Sequence, residues 1–246
     1  MDEEPARNPP FAGLDAAMED VTAAVRFILE YRGAAALDLI GFSWGAVIAA
    51  CFAGAHPTQV ARLVLYAPYF TRANLSWMSS ISDPSHPERL APHLGAYRLI
   101  TFADLIRRWD DELSGVKPTL YRDDELPGLI FESLAALDPA AQSRTPAAFR
   151  CPNGALEDLL RIRNGRQLYD PARLTMPTLI LRGAEDITST DADAICLLER
   201  IASPIKDYRA ISPGSHFLCV EKTRAKLYEQ LDCFLEPIGR NPQTSG

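Results

Sequence analysis

Positive charge is scarce in this sequence. Lys and Arg number 25 against 32 Asp and Glu, a formal net charge of -7, and no run of Lys or Arg occurs. A chain of this charge offers no basic stripe to a phosphate backbone, so nucleic acid is not an expected partner. Long apolar runs are also missing. None approaches the roughly 20 residues a helix needs to cross a bilayer, so no membrane partner is expected either. The opening residues, Met1-Asp2-Glu3-Glu4-Pro5, carry neither a basic stretch nor an apolar one, which argues against a signal peptide. Cysteine is sparse, odd in number and scattered: Cys51, Cys151, Cys196, Cys219 and Cys233, with no C-x-x-C. That pattern predicts buried thiols in a reducing, cytoplasmic setting, with no disulfide framework and no metal site.

What is present is apolar and patterned. The 246 residues are 47% hydrophobic, enough for one sizeable domain with an inserted subdomain. After a Pro/Asn/Gly-rich lead-in, Met18, Val21, Val25, Ile28 and Leu29 recur at helical spacing. They predict a helix over 15–32, capped by Asp15, with one buried stripe. A strand is expected at 36–40, then a small-residue helix to about residue 55, which His56-Pro57 stops. His56 is expected to serve the helix end. Further strands are expected at 60–67, 178–182 and 206–211. Helices should follow at 190–202, with Ala192, Ile195, Leu197 and Leu198 inward, and at 221–235. Alternation of strand and helix predicts an α/β fold, a doubly wound and mostly parallel sheet.

Between residues 70 and 170 the strand signal lapses. Helical patterns occur at 101–113, with Phe102, Leu105, Ile106 and Trp109 on one face, and at 154–163, with Leu156, Leu159, Leu160 and Ile162. The expected division is therefore a core of 1–70 plus 170–236, a helical cap insertion at 71–169 and a disordered tail at 237–246. Arg161, Arg163 and Arg166 in the cap could meet a substrate carboxylate, or simply form a solvated helix face.

One stretch organises the rest. Leu37-Asp38-Leu39-Ile40 runs into Gly41-Phe42-Ser43-Trp44-Gly45, and Ala46, Val47, Ile48, Ala49 and Ala50 follow. This is G-x-S-x-G between a strand and a helix. So tight a turn holds its serine in a strained backbone conformation, and Gly41 and Gly45 are expected to leave room where a Cβ would collide. The serine is then exposed above the sheet, facing the positive end of the following helix.

On these residues the sequence resembles the α/β-hydrolase superfamily, and Ser-Trp-Gly is similar to the elbow of proline iminopeptidases. The resemblance covers about 15–70 and 170–236. It implies a nucleophile, then an acid, then a histidine in chain order. Ser43 comes first. Asp186 follows in Arg182-Gly183-Ala184-Glu185-Asp186 at a strand end, with Glu185 as the alternative acid. His216 comes last, in Gly214-Ser215-His216. All three fall at strand carboxyl ends, where open parallel sheets place their sites. His86 and His93, in proline-rich cap sequence, are not expected to serve as base. The Trp44 amide is the expected oxyanion donor, and Phe42 and Trp44 the expected substrate contacts. The implied activity is acyl-enzyme hydrolysis of an ester, thioester or amide of a small molecule, needing no metal or organic cofactor. C–C bond hydrolysis uses the same three residues. Relatives with dehalogenase or epoxide-hydrolase chemistry usually carry Asp where Ser43 stands.

The sequence departs from the family before the elbow. Only 42 residues precede Ser43, room for one helix and one strand, and no His-Gly-rich loop occurs. The N-terminal strands of the sheet are therefore expected to be missing. That would make the serine's strand a sheet edge, open to self-association, and would remove an oxyanion donor. Two readings follow: a working serine hydrolase, or a truncated or vestigial homologue that binds but does not catalyse.

Overall fold

The computed structural model describes residues 4–71, 75–113 and 116–236. The elements run α1 (Leu14–Arg32), β1 (Leu37–Phe42), α2 (Trp44–Ala55) and β2 (Val60–Tyr66). The chain then leaves the sheet through α3 (Leu75–Ile81), β3 (Tyr97–Thr101), α4 (Phe102–Glu112), α5 (Leu126–Ala135), β4 (Ala148–Pro152) and α6 (Gly154–Arg163). It returns as β5 (Thr178–Gly183), α7 (Asp191–Arg200), β6 (Lys206–Ile211) and α8 (Arg224–Leu235). The expected tail at 237–246 lies outside the described residues.

The main sheet is parallel, in the order β1-β2-β5-β6. Its residues alternate between two cores, as pleating requires. Leu63, Leu65 and Ile180 face α1, α2 and α7 with Val25, Phe52 and Leu197. Val64, Tyr66, Leu179 and Leu181 face α8 with Leu218 and Leu227. β5 is buried at every position, which explains its unbroken apolar run. Among the described residues β1 pairs with β2 alone and so forms one edge of the sheet. Leu37 and Leu39 pack on the α2 side, while Ile40 and Phe42, on the α8 side, are exposed.

Helix phases differ from expectation in three places. The first turn of α1 is not capped by Asp15. Gly13 occupies the cap position, and Asp158 of α6 accepts the Leu14 amide at 2.7 Å instead. The inward stripe of α1 is Met18, Val21, Val25 and Leu29, and Ile28 is exposed. On α7, Ala192 and Ile195 face out. The helix is turned so that buried Asp193 accepts the amides of Phe70 (3.2 Å) and Thr71 (2.8 Å), closing the exit from β2.

The insertion is not purely helical, a correction to the expected helical cap. β3 and β4 form an antiparallel pair, Tyr97 opposite Pro152 and Thr101 opposite Ala148. Local sequence hides this pair because each strand is five residues long and partly exposed, and its partner lies on the far side of two helices. α4 begins where expected. Thr101 and Asp104 close a capping box, each side chain taking the other's backbone amide. Four cysteines are half-buried; Cys233 is exposed, contrary to expectation, and all five are free. Burial pushes the Cys51 thiol up to about 12, with Asp158 adding to the shift, so this sulfur stays protonated and unreactive.

Candidate active site

Ser43 stands between β1 and α2 with φ 55° and ψ -120°. A side chain adopts this conformation only when its surroundings enforce it. Here the Ser43 amide donates to Tyr66 O at 2.9 Å, and the Ser43 carbonyl accepts the Ala46 amide at 2.9 Å. Gly41 makes the turn sterically feasible. A Cβ there would run into the Gly45 carbonyl and come within 2.7 Å of Ala46 Cα and Ala49 Cβ. Gly45 differs from expectation: its missing Cβ would point into open space. Close approach of helix to strand therefore rests on the first glycine of the motif. Trp44 is the first residue of α2, so its amide has no intrahelical acceptor and lies at the positive end of the helix.

Asp186 and His216 arrive on two loops at the ends of β5 and β6. Ser43 Oγ lies 3.0 Å from His216 Nε2, and His216 Nδ1 lies 2.9 Å from Asp186 Oδ2. A carboxylate offers acceptors, so Nδ1 carries the proton and donates it to Asp186. Nε2 is then an acceptor, and Ser43 donates to it. His216 and Asp186 are both buried. The second Asp186 oxygen accepts the amides of Thr188 (2.8 Å) and Ser189 (2.7 Å), so the carboxylate cannot swing away from the ring. Buried Arg182 pins the same turn by donating to Asp186 O and Ser189 O, both at 2.6 Å. Gly183 lets the histidine loop rest on the end of β5, since a Cβ would meet the carbonyls of Gly214 and Ser215.

Each remaining candidate has a definite place. Glu185, the alternative acid, accepts Ser212 Oγ (2.7 Å) and the Gly214 amide (2.6 Å), and so braces the histidine loop. Phe42 stacks on Tyr66 at 4.7 Å and lies 5.1 Å from the His216 ring. The Trp44 indole donates to Asp158 at 3.2 Å. His56 ends α2 and packs on Phe52. His86 and His93 are exposed on the insertion. Arg161 reaches Asp158 (3.3 Å) and Glu157 (3.5 Å), while Arg163 reaches Ser82 Oγ (3.3 Å), so both act within the protein. Among the described residues no group of three or more His, Cys, Asp or Glu side chains could hold a metal ion. No helix there is long and apolar enough to cross a membrane.

The family model described as serine aminopeptidase, S33, matches residues 5–223. The chain belongs to this family of α/β-hydrolases. Solved α/β-hydrolases share its fold at low identity. A structure of the metagenome-derived lipolytic enzymes LipS and LipT is 18% identical, with a TM-score of 0.57, over 91% of this chain and 73% of that one. A meta-cleavage product hydrolase from Pseudomonas fluorescens IP01 is 14% identical, with a TM-score of 0.58, over 91% and 72%. A monoacylglycerol lipase from Paleococcus ferrophilus is 14% identical, with a TM-score of 0.53, over 89% and 73%. Among curated proteins no sequence matches this α/β-hydrolase.

Sequence reasoning missed the residues that hold the two loops. Glu112 of α4 accepts the Ile187 amide at 2.9 Å and Thr188 Oγ1 at 2.5 Å, directly after Asp186. Glu221 accepts the Ser215 amide (3.0 Å), Ser215 Oγ (2.5 Å) and Trp109 Nε1 (3.0 Å), directly before His216. Both glutamates are buried. At Glu112 the sequence carries no signal of this, since it ends the charged run Arg107-Arg108-Trp109-Asp110-Asp111. Only Glu221, directly after Phe217-Leu218-Cys219-Val220, is an acid in apolar surroundings that needs a partner.

Proposed function

We propose that this α/β-hydrolase is a serine hydrolase that cleaves an ester, thioester or amide of a small molecule through an acyl-enzyme on Ser43. The observation that carries the reading is the unbroken hydrogen-bond path Ser43 Oγ–His216–Asp186, with distances of 3.0 and 2.9 Å. In the first half-reaction His216 Nε2 takes the hydroxyl proton as Ser43 Oγ bonds to the acyl carbon. The carbonyl oxygen becomes an oxyanion, met by the Trp44 amide and the α2 dipole. Collapse expels the leaving group, which receives the proton from His216. Water repeats the sequence on the acyl-enzyme, releasing the acid and restoring Ser43. Asp186 keeps the ring in the required tautomer and stabilises its charged form throughout.

The fold relatives described as lipolytic enzymes and as a monoacylglycerol lipase make simple acyl esters the first substrates to try. The meta-cleavage product hydrolase makes a C–C substrate the second. The test is labelling of purified protein by a fluorophosphonate probe, beside Ser43→Ala and His216→Ala. Labelling is expected in the wild type, absent in Ser43→Ala, and slower by at least about 10³-fold in His216→Ala. A folded wild type that does not label would overturn the reading and leave a non-catalytic binding role.

A further inference from the structure

Three neighbouring side chains of α4 reach both loops that carry the relay. Arg108 donates to Glu112 (2.5 Å) and to Thr188 Oγ1 (2.7 Å), and its guanidinium lies over the Phe217 ring at 5.4 Å. Trp109 packs on Phe217 at 5.0 Å and donates to Glu221, which holds Ser215. Glu112 lies one turn further along the same face and takes the Ile187 amide and the Thr188 hydroxyl. The turn after Asp186 thus has three inward amides. Asp186 itself takes those of Thr188 and Ser189, and Glu112 takes that of Ile187.

We propose that Glu112 is a positioning residue. From the insertion it fixes the turn that carries Asp186, and so sets how that carboxylate meets the His216 ring. The proposal rests on the serine-hydrolase reading given above. Two features separate this from a general tie between insertion and sheet. The contact falls on the two residues that follow the acid, where rotation of one peptide swings the carboxylate directly. The Glu112 charge is also matched by Arg108, so the side chain acts by geometry and adds no unpaired second charge beside Asp186. Without it the Ile187 amide loses its acceptor and the turn relaxes toward another. Misplacement by a fraction of an ångström at the base–acid pair is then felt in turnover. A further consequence is that any ligand that shifts α4 shifts the relay with it.

The test compares wild type with Glu112→Ala, Glu112→Gln and Thr188→Val. Esterase kinetics are read alongside the far-downfield proton resonance of the His216 Nδ1–H bond to Asp186. Glu112→Ala should lower kcat by about 10-fold or more with KM nearly unchanged, because the group does not touch substrate. Glu112→Gln keeps an acceptor and should recover most of that loss. Thr188→Val, a milder change that preserves shape, should fall between them. The resonance should move or broaden in Glu112→Ala and persist in Glu112→Gln. A folded Glu112→Ala or Thr188→Val with wild-type kcat and an unmoved resonance would overturn the proposal, even with a lowered Tm. If wild type shows the resonance but neither labels nor turns over, the hydrolase reading fails. The response of the resonance to Glu112→Ala then decides the positioning claim alone.

Discussion

Ser43 and its two hydrogen-bonded partners are held in place by different means. Ser43 is fixed by backbone: a positive φ, an amide bonded to the neighbouring strand, and a glycine that lets α2 lie against β1. Asp186 and His216 are fixed by side chains, many from distant parts of the chain. Arg182, Glu112, Glu185 and Glu221 each donate to or accept from one of their loops, and Trp109 in turn donates to Glu221. Backbone strain gives one rigid position at the cost of a single exact turn. A polar network gives a position that can be adjusted, but every buried member must stay satisfied.

The largest expected effect lies on the backbone side. Gly41→Ala should push α2 away from β1, lowering stability by about 1–3 kcal/mol. Fluorophosphonate labelling should fall by about 100-fold or more, since the hydroxyl moves relative to His216. Gly45→Ala is the control within the same motif. Its Cβ meets open space, so labelling should survive and stability should rise slightly, because alanine favours helix. Equal losses at both glycines would show that the motif acts through something other than the approach of α2 to β1. On the network side, Glu221→Gln replaces an acceptor oxygen by a donor facing Ser215 and Trp109. A loss of about 1–3 kcal/mol in denaturant unfolding is expected, with labelling slowed rather than lost.

Smaller effects are expected where a network touches neither side. The Arg150 guanidinium, helped by the amides of Arg150 and Ala140 and by Arg144, holds the Asp138 carboxyl well below its ordinary value of 3.8. A carboxylate depressed in the folded state stabilises above its unfolded value, and this contribution is lost as pH falls through the folded one. Asp138→Asn should therefore be less stable than wild type at neutral pH, with the gap in Tm closing as the pH falls below 3.8. Parallel curves would contradict this assignment. Labelling at neutral pH should be unaffected. Least of all, Trp44→Phe removes one indole bond to Asp158 and leaves the Trp44 backbone amide in place. A cost of about 1 kcal/mol is expected, with turnover close to wild type.

The same contrast decides what could be read in the sequence. The elbow is local, so Gly41-x-Ser43 between an apolar run and an alanine-rich helix announced strand, turn and helix together. Strand ends announced Asp186 and His216, and a buried strand such as β5 carries an apolar run that needs no alignment to see. The supporting network is another matter. Glu112 stands 75 residues from Ile187, and Trp109 stands 112 from Glu221. Nothing in the spacing of either pair marks them as neighbours. The β3–β4 pair stayed hidden for the same reason. Inward Asp193 turned α7 away from the face that its apolar residues suggested, because a carboxylate closing two amides outweighs one exposed isoleucine. At Gly45 the motif promised a steric need that the fold does not have.

Asp158 joins three parts of the chain: it accepts the Leu14 amide, the Trp44 indole and Arg161. The bond to Leu14 closes a loop of 144 residues. So distant a contact forms late, after the sheet and the insertion have both come together. The order of assembly follows from that geometry. α1 leaves the ribosome before the sheet and the insertion do, yet its opening turn is finished only when α6 is in place. In hydrogen exchange, the Leu14 amide would thus be a clock for docking of the insertion, while the amides of β5 would time the collapse of the sheet.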